Sequence, residues 1–543
     1  MAGNLRETAL SAMAESTYDL LVVGGGITGA GIARDATLRG LKVAVVDRGD
    51  WASGTSSKSS RLIHGGLRYL ESYQFSMVLE SVRERTRQAK LNPTLVWPQP
   101  FVVPVYQGDR HGLFKLNLGL WLYDFMCRFR APSRHRRLSA KKTLSRVPGL
   151  ASTGLHGSVC YYDYGTDDAR LTLANVLDAR HRGAAAANHV AFVAPVFGDD
   201  DTVAGAQLND MLTGRDITVR CRHLVYATGA WTDEVAGAPG EGRLIRATKG
   251  VHIVVAKERL PVEDAVGMSA PEDGRVVFAL PVGDTVYIGT TDTDYEGPLD
   301  DIRADASDVA YLLDTANQYF PDAGLSSGDI LATWSGVRPL VRSDEDSAYK
   351  TSREHALLHD PRGITAIAGG KLTTYRAMAE EAVDAAVKEA KKRHPTLKAG
   401  RCMTHKTSIA PDPTPATDST AQPGLCFADL MQPRANDEEL LAQVAHAVRH
   451  EDARLLTDVM VRRLKVIYRF ADQGMAVAPS VAKAMAQLLK HDDAWVEAQL
   501  TRYRGRVDAG QAGLEAGVTQ PDSPQTHTQA IVTPAHPLGR EEP

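Results

Sequence analysis

Residues 20–47 read LLVVGGGITGAGIARDATLRGLKVAVVD. An apolar run, Leu20 to Val23, ends in the turn Gly24-Gly25-Gly26-Ile27-Thr28-Gly29 and passes into a helical pattern that Gly40 closes. A second apolar run, Leu41 to Val46, ends in Asp47. Strand, glycine turn, helix, strand and acid in this order make a dinucleotide-binding βαβ unit. Gly24 permits the tight turn, Gly26 lets the backbone approach a pyrophosphate, and Gly29 allows close helix–strand packing. The first-turn N–H groups at Ile27 and Thr28, with the helix dipole, favour phosphate charge. Asp47, 18 residues past Gly29, stands where a carboxylate can accept ribose hydroxyls. The unit alone leaves FAD and NAD both open.

A chain of 543 residues has room for more than one domain. Its net charge of −4 lacks the basic footprint of a nucleic-acid binder. Cys127, Cys160, Cys221, Cys402 and Cys426 are widely spaced with no CxxC, which predicts reduced thiols in a cytoplasmic setting and argues against zinc or an iron–sulfur cluster. The opening MAGNLRETALSAMAES has no basic-then-apolar layout, so no secretory signal is expected. No run reaches the 18 or more apolar residues of a membrane span.

The expected architecture is α/β: a Rossmann-like dinucleotide-binding domain interleaved with a mixed-sheet substrate domain, plus a C-terminal helical domain. Residues 1–16 read as a leader, and 17–395 hold the two interleaved domains. Residues 396–437 form a proline-rich linker, 438–515 a helical domain, and 516–543 a polar, disordered tail. Strands are expected at His223–Tyr226, Val251–Val255 and Ile364–Ala368, and a hairpin at Val276–Ile288 turning on Gly283-Asp284. Leu372, Tyr375, Met378, Ala379, Ala382, Val383 and Ala386 share one helical face. Ser480, after Pro479, is the expected N-cap of a later helix.

Eight motifs, in order, resemble the FAD-dependent glycerol-3-phosphate dehydrogenases, respiratory flavoenzymes that pass electrons to quinone. They are GGGITGAGIARDA, TSSKSSRLIHGGLRYLE from Thr55, DDARL from Asp167, ATGAW from Ala227, KGVHIVV from Lys249, IGTTDTDY from Ile288, SGVRPL from Ser335 and GGKLTTYR from Gly369. They span residues 19 to about 390, and HGGLRYLE and GGKLTTYR are the most specific. The resemblance implies FAD, oxidation of sn-glycerol 3-phosphate to dihydroxyacetone phosphate, and a quinone acceptor.

That chemistry needs a base for the hydroxyl proton, a path for hydride to flavin N5, and fixed charge for the phosphate. His64, beside Gly65 and Gly66, suits the base, and His252, alternating with Val251 and Ile253 on a strand, is the second candidate. Arg338, between Val337 and Pro339, and Arg68, four residues past His64, offer planar forks for phosphate. Lys371 adds a point charge and Tyr69 a neutral hydrogen bond. His64, His252 and Arg338 are thus the expected catalytic set; Arg68, Tyr69, Arg338 and Lys371 are expected to bind substrate. The cofactor set comprises the glycine turn with Asp47, the hydroxyls of Thr55, Ser56, Ser57 and Ser59, and the His64-Gly65-Gly66 stretch. It also takes in Ala227, Thr228, Gly229 and Trp231, then Gly370, Lys371, Leu372 and Thr373, whose helix start could stabilise charge developing on the flavin. This second glycine turn favours FAD over NAD. No metal is expected.

From Leu113 to Phe129 the chain reads LFKLNLGLWLYDFMCRF, and Arg128 to Arg146 carries eight cations and no acid. An apolar aromatic helix beside a basic cluster suits an anionic bilayer surface, and equally a core helix followed by a solvated loop. The resemblance favours the first: a cytoplasmic protein attached peripherally to the inner face of the membrane, with a homodimer left open. The rival readings are an oxidase on the same scaffold that returns electrons to O2, a flavoenzyme for another hydroxy or amino acid, and a catalytically silent flavin-fold protein.

Overall fold

The computed structural model describes residues 5–70, 73–127, 132–236, 243–342, 355–410 and 437–515. Most of the expected linker, the whole tail, Arg128, Arg130, Cys426 and the side chain of Arg68 lie outside the described residues.

The glycine turn sits in a six-stranded sheet ordered His355–Asp360, Ile364–Gly369, Leu224–Tyr226, Leu20–Val23, Val43–Val46, Ala185–Ala187. Its strands run parallel except at the His355–Asp360 edge. The runs LLVV, VAVV and AAA are apolar throughout because both faces are covered. Helices Ile27–Leu38 and Tyr375–Arg393 pack on one face through Ala30, Ala33, Ala379 and Ala382, whose small side chains let the helices approach closely. The other face meets a four-stranded sheet and helix Leu5–Glu15, which buries Leu10 and Met13.

A ten-stranded mixed sheet makes the second layer. Along its strand Ile245–Ala256, Val251, Ile253 and Val255 join the core under helix Ala306–Tyr319. The period of two therefore turns Gly250 and His252 to the opposite face. Strand Ile330–Val341 pairs antiparallel with it, setting Gly336 against Gly250 and Trp334 against His252.

The C-terminal helices Asp437–His450, Ala478–Leu489 and Asp493–Glu515 join the first layers through a buried ionic seam. Arg463 grips Asp50 with two bonds of 2.7 and 2.9 Å, and Arg462 adds a third at 2.6 Å. His189 meets Asp458 at 2.9 Å, and Lys465 pairs with Asp167. Burial alone would raise the Asp50 and Glu451 carboxyls, but the Arg463 and Arg170 guanidiniums beside them win and hold both below the ordinary carboxylate range. Their stabilisation is present above the unfolded pKa of about 4 and is lost as pH falls below it. Arg463→Met leaves Asp50 buried without its two-point partner, an expected loss of about 3–5 kcal/mol, measurable by denaturant unfolding at pH 7. Ser480 does not cap its helix. Pro479, suited to a first turn because it needs no N–H acceptor there, already lies inside it, and Val477 occupies the cap.

Candidate active site

The two sheets enclose a cavity of about 1280 Å³ that joins the glycine turn to the cavity-facing side of the large sheet. At the turn, Gly24 has φ +111°, and a Cβ there would stand 2.5 Å from the Ala227 carbonyl. A Cβ on Gly29 would reach 1.8 Å from the Gly24 carbonyl, so helix and turn touch backbone to backbone. Asp47 accepts the Gly25 N–H at 2.6 Å and the Gly49 N–H at 2.8 Å. Burial pushes its carboxyl up while these two donors pull it back. The Ser56 hydroxyl accepts the Ile27 N–H at 2.9 Å, which pins the hydroxyl-rich loop onto the helix start.

Strand Leu224–Tyr226 delivers Ala227, Thr228, Gly229 and Trp231 to the same wall. The Trp231 ring covers Gly54 and lies under the Arg48 guanidinium, 4.7 Å from its centroid. Its buried Nε1 has no hydrogen-bond partner among the described residues. A left-handed glycine at the turn, a helix start at Gly26 that opens on the cavity wall and an unpaired indole N–H on a cavity-lining tryptophan all fit a bound dinucleotide.

The other half of the cavity holds the expected substrate groups. Arg338 lies flat over Gly250, where any Cβ would sit about 2.5 Å from its nitrogens. Its Nη2 donates to Thr290 Oγ1 at 2.8 Å, and its Nη1 donates to Asp292 Oδ1 at 3.1 Å and to the Thr291 carbonyl at 3.2 Å. The Lys371 ammonium stands 4.1 Å above the Tyr69 ring, so these two expected groups form one unit. Thr373 ties the second glycine turn to the loop: its hydroxyl accepts the His64 N–H at 3.1 Å and donates to the His64 carbonyl at 3.2 Å.

The two histidines differ. His64 Nδ1 accepts the Gly66 N–H at 3.1 Å, which places the proton of the neutral ring on Nε2. His252 is buried, stacks on Trp334 with centroids 4.7 Å apart, and meets the Ser60 hydroxyl at 2.9 Å through Nε2. Burial, reinforced by the Arg338 and Arg61 cations, holds its imidazole well below the usual histidine range.

Most of the expected site residues line the cavity; Gly29, Ser57 and Gly65 do not. Gly29 serves packing. Gly65 donates its N–H to Asp163 and faces Tyr123, whose hydroxyl a Cβ would strike at 2.1 Å. Ser57 is buried in the short turn Thr55–Ser57. Ser59 lines the wall, but its hydroxyl and N–H both donate to Asp168, at 2.7 and 3.0 Å. Thr55 gives its hydroxyl to the Val337 carbonyl at 2.6 Å. Sequence reading missed Gly250, Thr290, Asp292, Ser60 and Lys58. All lie inside quoted motifs, and Gly250 carried a signal: a glycine in mid-strand marks close approach by another group.

A glycine-turn dinucleotide site that shares one cavity with a cationic pocket is the arrangement of a dinucleotide-dependent oxidoreductase. A family profile described as FAD dependent oxidoreductase matches residues 19–376, and one described as the C-terminal domain of alpha-glycerophosphate oxidase matches residues 418–496. An aerobic glycerol-3-phosphate dehydrogenase of Staphylococcus haemolyticus is 38% identical over 407 residues, covering 75% of this chain and 73% of its own. That of Staphylococcus saprophyticus is 33% identical over 546 residues, covering 94% and 97%. The glycerol-3-phosphate dehydrogenase of Bacillus halodurans, solved in complex with FAD, aligns over 96% of this chain and 100% of its own, with TM-score 0.73 and 27% identity. The chain belongs to the FAD-dependent glycerol-3-phosphate dehydrogenase family.

Proposed function

We propose that this enzyme oxidises sn-glycerol 3-phosphate to dihydroxyacetone phosphate and passes the electrons to a membrane quinone. The carrying observation is the continuity of one cavity from the glycine turn to Arg338, Lys371 and Tyr69. Arg338 and Lys371 hold the phosphate, with Tyr69 supporting the lysine; Arg68, one residue before Tyr69, is proposed to join them. Bound FAD supplies the acceptor for the two electrons of the C–H bond that breaks. His64, protonated on Nε2, donates to a substrate oxygen. The basic nitrogen belongs to His252, reached through the Ser60 hydroxyl. Burial lowers the His252 ring most and the Arg338 cation adds to it; a phosphate dianion on Arg338 offsets that added part, so the ring gains basicity when substrate arrives. Anaerobic addition of sn-glycerol 3-phosphate to the yellow protein should bleach the flavin band stoichiometrically. A band that stays oxidised with substrate yet bleaches with dithionite would overturn the substrate.

The quinone reading draws support from helix Leu113–Met126. Phe114, Leu118 and Phe125 are 79%, 61% and 68% exposed, joined by Trp121 and Leu122, while Leu116 and Leu120 of the same helix line the apolar lobe of the cavity with Phe101, Val103, Tyr161 and Phe278. Among the described residues no helix is long and apolar enough to cross a membrane. An apolar exposed face followed by Arg134, Arg136, Arg137, Lys141 and Lys142 suits a peripheral seat on anionic lipid. Replacing Phe114, Leu118 and Phe125 together by serine should abolish co-sedimentation with anionic vesicles while leaving flavin reduction by substrate intact. Unchanged sedimentation would sink the attachment. Rapid peroxide release with substrate in air, and none of the electrons reaching a soluble quinone analogue, would favour the oxidase.

A further inference from the structure

The cavity wall beside the glycine turn carries a cationic cluster that the substrate chemistry does not use. Lys58 follows the turn Thr55–Ser57, two residues past the Ser56 hydroxyl that holds the start of helix Ile27–Leu38. Its Cβ lies against Gly336, where a side chain would intrude at 2.6 Å, so the lysine is seated between the loop and strand Ile330–Val341. Arg506, from helix Asp493–Glu515, and Arg462 line the same cavity. Arg462 is anchored by Asp50 and Asp458, at 2.6 Å each, and Asp50 immediately precedes Trp51, the ring that covers Gly25. Lys58 is thus linked to the glycine turn through the Ser56 loop, and Arg462 through Asp50 and Trp51.

Two of its three charges lack a direct partner among the described residues. Among the described residues neither the Lys58 ammonium nor the Arg506 guanidinium has a hydrogen-bond or ion-pair partner, whereas Arg462 has two carboxylates. Asp300 is the acid that favours the Lys58 cation, and it pairs with Arg48. Burial, then Arg506 and Arg462, lower the Lys58 ammonium to about 8. A half-buried lysine held against two like charges is relieved by an anion.

We propose that Lys58 and Arg506, with Arg462 behind them, clamp the pyrophosphate of bound FAD, so that the C-terminal helical region acts as a lock on the cofactor. The glycine turn supplies backbone N–H donors to one side of the pyrophosphate; the clamp supplies side-chain charge to the other. This inference is independent of the substrate assignment.

The test is dilution of the holoenzyme, with release of FAD read from the recovery of free-flavin fluorescence. Lys58→Met and Arg506→Ala should each raise the apparent Kd for FAD about ten-fold or more, and 0.5 M KCl should weaken wild type far more than the double variant. Arg506 is exposed, so its replacement keeps the fold even if that of Lys58 does not. Lys388→Met, on the surface of helix Tyr375–Arg393, should leave Kd unchanged. An FAD Kd within two-fold of wild type in Arg506→Ala overturns the clamp. So does an unchanged FAD Kd with a raised KM for sn-glycerol 3-phosphate, which would make the bound anion the substrate phosphate.

Discussion

Arg338→Ala is expected to lower kcat/KM for sn-glycerol 3-phosphate by about 30- to several thousand-fold, the equivalent of losing about 2–5 kcal/mol from a well-held charged contact. The guanidinium is rigid before substrate arrives: Thr290, Thr291 and Asp292 orient it, and Gly250 lets it lie flat. Little side-chain entropy is then lost on binding. Arg338→Lys keeps the charge but not the fork, so an intermediate loss is expected. The effect should be selective. Oxidation of glycerol, which carries no phosphate, should change little between wild type and Arg338→Ala, and the flavin spectrum should be retained. A kcat/KM for the phosphorylated substrate within three-fold of wild type would remove Arg338 from the phosphate site.

Gly29→Ala should give a colourless protein. The added methyl would stand 1.8 Å from the Gly24 carbonyl oxygen and 3.0 Å from its carbon. Both are backbone, and Gly24 cannot retreat, because it is itself packed on Ala227 in a left-handed conformation. Helix Ile27–Leu38 must then slide off the turn, with an expected cost of at least about 3 kcal/mol and loss of the FAD site. Gly40→Ala, just past the other end of the same helix, is the control. Gly40 also has positive φ, +81°, but among the described residues no atom beyond its two chain neighbours lies within 4 Å of its would-be Cβ. Only the left-handed strain of about 1–2 kcal/mol applies, and the protein should stay yellow. Equal flavin content in the two variants would contradict the contact geometry.

The glycine turn was legible because its signals are local. Each strand of the βαβ unit is a short apolar run, the helix shows its own periodicity, and the glycines sit where the backbone demands them. The hairpin at Gly283-Asp284 and strand Leu224–Tyr226 were legible for the same reason. Ser480 shows the limit: its residue type suits a cap, yet the helix already begins at Ala478 with Pro479 in its first turn.

The sequence by itself determined the class of cofactor site, the alternation that sends Val251 and Ile253 one way and His252 the other, and the residue types able to hold a phosphate. Tertiary structure decided which of these meet. Arg338 finds Asp292 and Thr290 across 46 and 48 residues, and Thr373 reaches His64 across 309. Asp50 closes on Arg463 across 413. Such pairings depend on strand order and layer packing, which no local periodicity encodes. They also settle charge: His252 is kept neutral by burial and by cations distant in sequence, and Lys58 is left without a counter-ion among the described residues by the same folding. Side-chain chemistry is a property of the residue. Its pKa, its partners and the surface it faces are properties of the neighbours that the fold brings to it.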